Sequence, residues 1–424
     1  MTTGNGIALF SISVIAVAVT AYTPFHSRAA MFTMSFISML VGVGVILNTW
    51  FYTTCLGGTP VHPILINDDC FRWWNDALYH IKGTGLKAAA SYGFYGYVLS
   101  GVLYIFEPTV GAALLWSMSL ILTALFLTGL LTYRLCGNRQ TALIAIVSTA
   151  AVCYWLAMGT LILKDSFVIV AMLVGALGLT TNQKQKFLSL TALSALMLSV
   201  SRPSFIWLLI VGVLLLHLRR KNRLSVILSI GIAVILWYIP ICYGQLGNVS
   251  EMVNSPETGG FSFTAPNQMA LYNLIGNYAE LPLYKKILFL PLTAAVQFFI
   301  PFFWTMARDI PFGLTETWAH IGIPWYFFGF YALYSLVVNY KKFRTQIYRL
   351  TVWAALCWLV PCFLFGGTVS RYGLPFVALF APAVAILLHR NYKKRKFYVV
   401  TSVYAIIVTF VLIVAYHLQS SAMQ

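Results

Sequence analysis

Long apolar runs separated by short polar gaps dominate this chain. The runs lie near 7–22, 31–52, 110–133, 141–160, 165–181, 187–200, 204–218, 225–243, 319–338, 350–365, 373–389 and 397–417. Each is long enough, or nearly so, to cross a hydrocarbon layer about 30 Å thick, so about 12 transmembrane helices are expected and the fold class is all-α, a polytopic membrane protein. Nothing basic precedes 7–22, which reads it as a first span rather than a secretory signal. Two further runs, 92–106 and 287–306, invert every later loop if counted as crossings. They are expected to be interfacial or re-entrant helices in periplasmic loops.

Charge sets the orientation. Alternate gaps carry Arg28; Arg134 and Arg139; Lys184 and Lys186; Arg219, Arg220, Lys221 and Arg223; Lys341, Lys342, Arg344 and Arg349; and Arg390, Lys393, Lys394, Arg395 and Lys396. None of these gaps holds a carboxylate, and short loops rich in Lys and Arg stay cytoplasmic. All 10 acidic residues fall in the complementary loops or at their membrane edges. Those loops form the periplasmic side of a bacterial inner (plasma) membrane, and they include the two longest connections, 53–91 and 244–318. No internal repeat or linker divides the chain, so residues 1–424 are read as one multispanning domain. Binding and catalysis are expected in the long loops, on the periplasmic face.

Composition agrees and removes some functions. The chain is 60% hydrophobic and 9% charged, with a mean hydropathy of +0.83, whereas soluble domains carry roughly 25% charged residues. The formal charge of +17 sits in gaps between spans rather than on a folded basic face, so nucleic acid is not an expected partner. No CxxC or Cys/His cluster has metal-ligand spacing. No phosphate-binding glycine loop, HExxH or GxSxG motif occurs.

The first long loop holds Asn67-Asp68-Asp69, followed by Arg72, Asp76 and His80. Asn and Asp are N-cap residues, and the following stretch predicts a helix. Asp69, Arg72, Asp76 and His80 share one face, and Phe71, Trp74, Leu78 and Ile81 share the other. Such a helix lies flat at the membrane surface, with its apolar side and tryptophans at headgroup level. One aspartate is spent on capping if the helix starts there. Adjacent side chains diverge, so the other is left to face a cleft.

Charges inside apolar runs are costly and tend to mark function. Lys164-Asp165 interrupts the run from 141 to 181, Arg202 lies in the turn Ser201-Arg202-Pro203-Ser204, and Arg371-Tyr372 opens a late span. As structural elements these are a locally neutralised hairpin and a snorkelling arginine. Together they place a carboxylate pair and three cations on one face. A sugar leaving a polyprenyl phosphate needs a base for the acceptor hydroxyl and cations for the departing phosphate. A hydrolytic glycosidase needs two carboxylates facing across the bond instead.

The layout resembles the C-type glycosyltransferase superfamily, the GT-C enzymes that take sugars from polyprenyl-phosphate donors. The resemblance covers most of residues 30 to 395. It rests on Asp68-Asp69 with Arg72, on Tyr92-Gly-Phe-Tyr-Gly, on Arg134-Leu-Cys-Gly-Asn-Arg139, on Lys164-Asp165, and on Arg371-Tyr372-Gly-Leu-Pro375. It implies a hexosyltransferase-type enzyme in which Asp68 or Asp69 is the catalytic base. Arg371, with Lys164 or Arg202, would contact the donor phosphate, and Arg72, Asp165, Tyr372 and His80 would support them. The implied partners are a polyprenyl-phosphate-linked sugar donor, a glycan or lipid-linked acceptor, and membrane lipid. No cofactor is required by this chemistry, although adjacent aspartates are able to bind Mg²⁺ or Mn²⁺. The chain departs from the pattern by a span before the acidic loop and by lacking the large soluble C-terminal domain of some members, which favours a small or glycan acceptor. An O-antigen polymerase or ligase is the alternative, with Arg202 and Arg371 essential and the aspartates dispensable. A transporter or flippase calls for midplane charges and repeated halves, and neither is apparent.

Overall fold

The computed structural model describes residues 3–55, 69–83, 94–106, 108–152, 156, 158–217, 223–242, 281–299, 323–339, 341, 345–365, 374–391 and 393–421. Asp68, Arg371 and Tyr372 lie outside these residues, as do much of the 53–91 loop and most of 244–318. Regular structure among the described residues is helical throughout. The helices are α1 (Thr3–Ala21), α2 (Arg28–Cys55), α3 (Asp69–Lys82), α4 (Tyr95–Phe106), α5 (Val110–Cys136), α6 (Arg139–Ala150), α7 (Asp165–Leu179), α8 (Lys184–Ser201), α9 (Ile206–His217), α10 (Arg223–Cys242), α11 (Leu283–Phe299), α12 (Ile323–Val338), α13 (Gln346–Phe365), α14 (Leu374–Asn391) and α15 (Arg395–Ser421).

Among the described residues two stretches, Arg28–Leu47 and Val110–Cys136, are long and apolar enough to cross a membrane, and several others are apolar but shorter. The outward faces carry Phe10 on α1, Phe32 and Met39 on α2, Leu224 and Ile235 on α10, and Ile406 and Phe410 on α15, all exposed. Faces of this kind are costly in water and at rest in lipid. The all-helical class expected from the apolar runs is what the described residues display.

Local sequence explains the connections. Thr109 caps α5 by accepting from the Ala112 N–H, and Gly137 ends the helix in the left-handed region at φ 66°, with its N–H donating to the Tyr133 carbonyl. Asn138 then caps α6 through the Thr141 N–H. A left-handed glycine followed at once by an N-cap asparagine turns the chain back in two residues.

The core is α5, α6, α7 and α14: α5 and α14 pack against each other and against both α6 and α7, with α8 and α9 beside α7. Small residues bring α7 and α8 together. A Cβ built on Gly178 stands 3.0 Å from Leu190 Cβ, one on Gly175 stands 2.7 Å from Ser194 Oγ, and the Ser194 hydroxyl donates to the Ala171 carbonyl at 2.7 Å. Close backbone approach at small residues is how apolar helices associate where the surroundings are equally apolar. Across the bundle, the Trp353 indole N–H donates to the Leu208 carbonyl at 2.7 Å and joins α13 to α9.

Helix ends sort by charge. Arg134, in the last turn of α5, donates to the Leu177 carbonyl near the end of α7. Phe25, between α1 and α2, packs on Phe126 of α5. At the far side, α12 and α15 are antiparallel: Tyr404 Oη donates to the Tyr326 carbonyl at 2.9 Å, and Tyr331 stacks on Phe397. Phe376, at the start of α14, meets Phe205, just after the end of α8. The helix ends bearing Arg28, Arg134, Lys184, Lys341 and Arg395 therefore gather at one end of the bundle. The starts of α7 and α14 and the end of α8 lie at the other.

One expected element takes a different form, and one takes the form expected. Helix α6 ends at Ala150, short of the run 141–160, and among the described residues before α7 Leu156 is helical and Met158–Thr160 form a 3₁₀ turn. Val152, Met158, Ile162 and Leu163 are buried there, and the 3₁₀ turn packs on α5 and α2. A 3₁₀ turn among apolar residues is tolerated where protein encloses it, and hydropathy alone does not distinguish it from α-helix. The run 92–106 appears as α4, whose 12 residues reach about 18 Å, too short for a crossing.

Candidate active site

The site is built from the start of α7 outward. Asp165 is the first residue of α7 and carries the helix's only first-turn negative charge, where the helix dipole favours it. Its side chain is 1% exposed. A charge so enclosed needs a partner, and Arg202 supplies one: Arg202 Nη2 lies 2.8 Å from Asp165 Oδ1. Arg202 ends α8, its own N–H donating to the Leu198 carbonyl. Its guanidinium also lies over the Phe205 ring at 5.4 Å, and Phe205 packs on Phe376. The start of α14, three residues after Arg371 in sequence, is thus attached to the Asp165–Arg202 pair through two phenyl rings.

Lys164 immediately precedes Asp165. Its Nζ lies 4.8 Å from the ring centre of Trp73 on α3. Trp73 is 1% exposed and meets Tyr95 edge to face at 5.5 Å. Tyr95 Oη donates to the Leu163 carbonyl at 3.5 Å, and its ring packs on Phe167. The Phe94 N–H donates to the Val200 carbonyl at 3.0 Å. The first-loop helices α3 and α4 are therefore fastened to both chain segments that carry the cations.

Within the loop, α3 and α4 pack tightly. Gly96 of α4 lies against the Asp76 carboxylate, in space that a Cβ would occupy. His80 Nε2 is 3.5 Å from Asp76 Oδ1, and its ring stacks on Tyr97 at 3.8 Å. The expected amphipathic helix is present, and its polar side faces protein: Trp73, Asp76 and Ala77 are buried, while Trp74, Leu78 and Ile81 are half-buried.

Of the expected site residues, Lys164, Asp165 and Arg202 come together. His80 instead joins Asp76 and Tyr97 in the clasp between α3 and α4. Asp69 and Arg72 belong to α3, with Asp69 as its first residue; Asp68, Arg371 and Tyr372 lie outside the described residues. Sequence reasoning gave Trp73 no role at the site and cited Tyr95 only within the motif Tyr92-Gly-Phe-Tyr-Gly. Trp73 stands about 40° from Asp69 on the helical wheel, and a large aromatic ring on the polar side was the signal available. Among the described residues, no group of three or more His, Cys, Asp or Glu side chains forms a metal-sized cluster.

No family model matches the chain, and no curated protein matches it. Among solved structures, it is similar to the archaeal oligosaccharyltransferase AglB from Archaeoglobus fulgidus, determined in complex with an inhibitory peptide and a dolichol-phosphate. Identity is 15% and the TM-score 0.37; the match covers 95% of this chain and 55% of that one, so this chain spans about half that protein's length. A likeness of this size is a loose one of helix layout, and the functional reading below stands on the residues themselves.

Proposed function

We propose that the chain is a glycosyltransferase that moves a sugar from a polyprenyl-phosphate-linked donor to a cell-surface glycan or lipid-linked acceptor. We assign it about 12 spans in a bacterial inner membrane, a number set by the roughly 30 Å hydrocarbon thickness, with the basic loops cytoplasmic and the reaction on the periplasmic face. The observation that carries the reading is the convergence of Lys164 and the Asp165–Arg202 pair beneath the helix that begins at Asp69, at the end of the bundle opposite the basic loops.

In the proposed reaction, the acceptor hydroxyl oxygen attacks the anomeric carbon and its proton passes to Asp68 or Asp69. The bond from that carbon to the phosphate oxygen breaks, and its electron pair leaves with the phosphate. Lys164 and Arg202, with Arg371, stabilise the charge that gathers there. The base gains most from correct placement, because a phosphate leaves without a general acid.

The test is sugar transfer in membranes from cells making Asp68→Asn, Asp69→Asn and Arg371→Ala, with insertion checked for each. Loss of transfer in one aspartate variant and in the arginine variant supports the reading. If both aspartate variants remain active while Arg202→Ala and Arg371→Ala are dead, the polymerase or ligase reading replaces it.

A further inference from the structure

Lys164 ends a sharp turn and, as a long flexible side chain, has rotamer entropy to lose before it holds one direction. Its neighbour Asp165 is already engaged by Arg202. Among the contacts of the ammonium is the face of Trp73, which itself meets Tyr95, whose hydroxyl donates to the Leu163 carbonyl. Trp73 also stands one helical turn after Asp69, on the same side of α3. One indole ring therefore connects the turn bearing the cation to the first turn of the helix that begins with the candidate base.

We propose that Trp73 is a positioning residue for the donor phosphate: its ring holds the Lys164 ammonium at the α3 edge, so that the anionic headgroup is bound one helical turn from Asp69. The inference rests on the glycosyltransferase reading for the identity of the phosphate, and on the geometry alone for the coupling. Trp73 touches no reacting atom. It acts through Lys164, and the affinity for a lipid phosphate is the quantity it controls.

The experiment uses the full-length purified protein and undecaprenyl phosphate as the probe, with the dissociation constant measured in detergent for Trp73→Phe, Trp73→Leu, Lys164→Met and the double variants. Trp73→Phe keeps an aromatic face and is expected to bind within about threefold of the parent, whereas Trp73→Leu weakens binding about tenfold, the order of a desolvated cation–π contact. Lys164→Met weakens it by at least as much. Once Lys164→Met is present, Trp73→Leu adds less than a further twofold loss. A ring that merely filled space would lower affinity by the same factor in both backgrounds, and that result overturns the proposal. If Trp73→Leu does not fold, Trp73→Met with and without Lys164→Met carries the same comparison, and equal losses in the two backgrounds again overturn it. Should neither Lys164→Met nor Arg202→Met affect binding, it is the phosphate site itself that fails. If Lys164→Met matters and Trp73→Leu does not, only the role of Trp73 fails.

Discussion

Arg202 Nη2 and Asp165 Oδ1 meet at 2.8 Å and join the end of α8 to the start of α7, with both side chains nearly enclosed. Removing one partner of such a pair leaves an uncompensated charge, a loss of about 3–5 kcal/mol. Asp165→Leu is therefore expected to be strongly destabilised, and Asp165→Asn, which keeps an acceptor, much less so. The double variant Asp165→Leu/Arg202→Met should recover more than half of the loss. Reaction of the buried Cys357 and Cys362 thiols with a fluorogenic reagent during heating reports the order. A double variant no better than Asp165→Leu would remove the pair from the account of stability.

Gly178 and Gly231 offer a contrast between two helical glycines. A Cβ on Gly178 would sit 3.0 Å from Leu190 Cβ and 3.1 Å from the Thr191 backbone N, while one on Gly231 has nothing within 4 Å. Gly178→Ala is expected to cost about 1–3 kcal/mol by forcing α7 from α8. Gly231→Ala is expected to gain about 0.5–1 kcal/mol. Denaturant midpoints of the two variants with the same sign of change would contradict this packing.

Trp353 carries a specific hydrogen bond rather than bulk alone. Trp353→Phe keeps most of the aromatic volume but removes the indole N–H that donates to the Leu208 carbonyl in addition to its helical donor, a loss of about 0.5–1.5 kcal/mol. Trp353→Leu should lose appreciably more through the space vacated beside Gly212. Thermal midpoints of the two proteins in one detergent decide the matter; a Phe variant as stable as the parent would remove the hydrogen bond from the ledger.

Orientation is open to a direct check. In a cysteine-free background, an impermeant maleimide applied to spheroplasts is expected to label Lys82→Cys at the end of α3 and to spare Lys184→Cys at the start of α8, both exposed positions. The reverse pattern would invert the topology and move the proposed reaction to the cytoplasm.

Some of this was legible from sequence and some was not, for identifiable reasons. The α5–α6 turn could be read directly, because Gly137 and Asn138 announce a C-terminus and an N-cap in adjacent positions. The break at Lys164-Asp165 was equally visible, since charge has no place inside a span. The end of α6 at Ala150 was hidden, because the following residues are as apolar as the helix and hydropathy does not sense backbone form. The partnership of Asp165 with Arg202, 37 residues apart, has no local pattern to betray it. Trp73 was overlooked because apolar residues on an amphipathic surface helix were assigned to lipid as a class, whereas this one sits among the polar positions and faces protein.

The short helices have a consequence for where a lipid phosphate would have to go. Measured from the contact between Arg134 and Leu177, α7 rises along its own axis only about 18 Å to Asp165, while α5 rises about 36 Å to Val110. Near its start α7 still meets α5, the Phe167 ring lying 6.5 Å from that of Trp116, and protein encloses the ion pair on that side, Asp165 being 1% exposed. Electrostatic attraction acts there through a medium far less polarisable than the aqueous surface. On the proposed reading, a phosphate that reaches these cations would have to shed part of its water, and would be held by them more strongly than by the same charges at the aqueous surface.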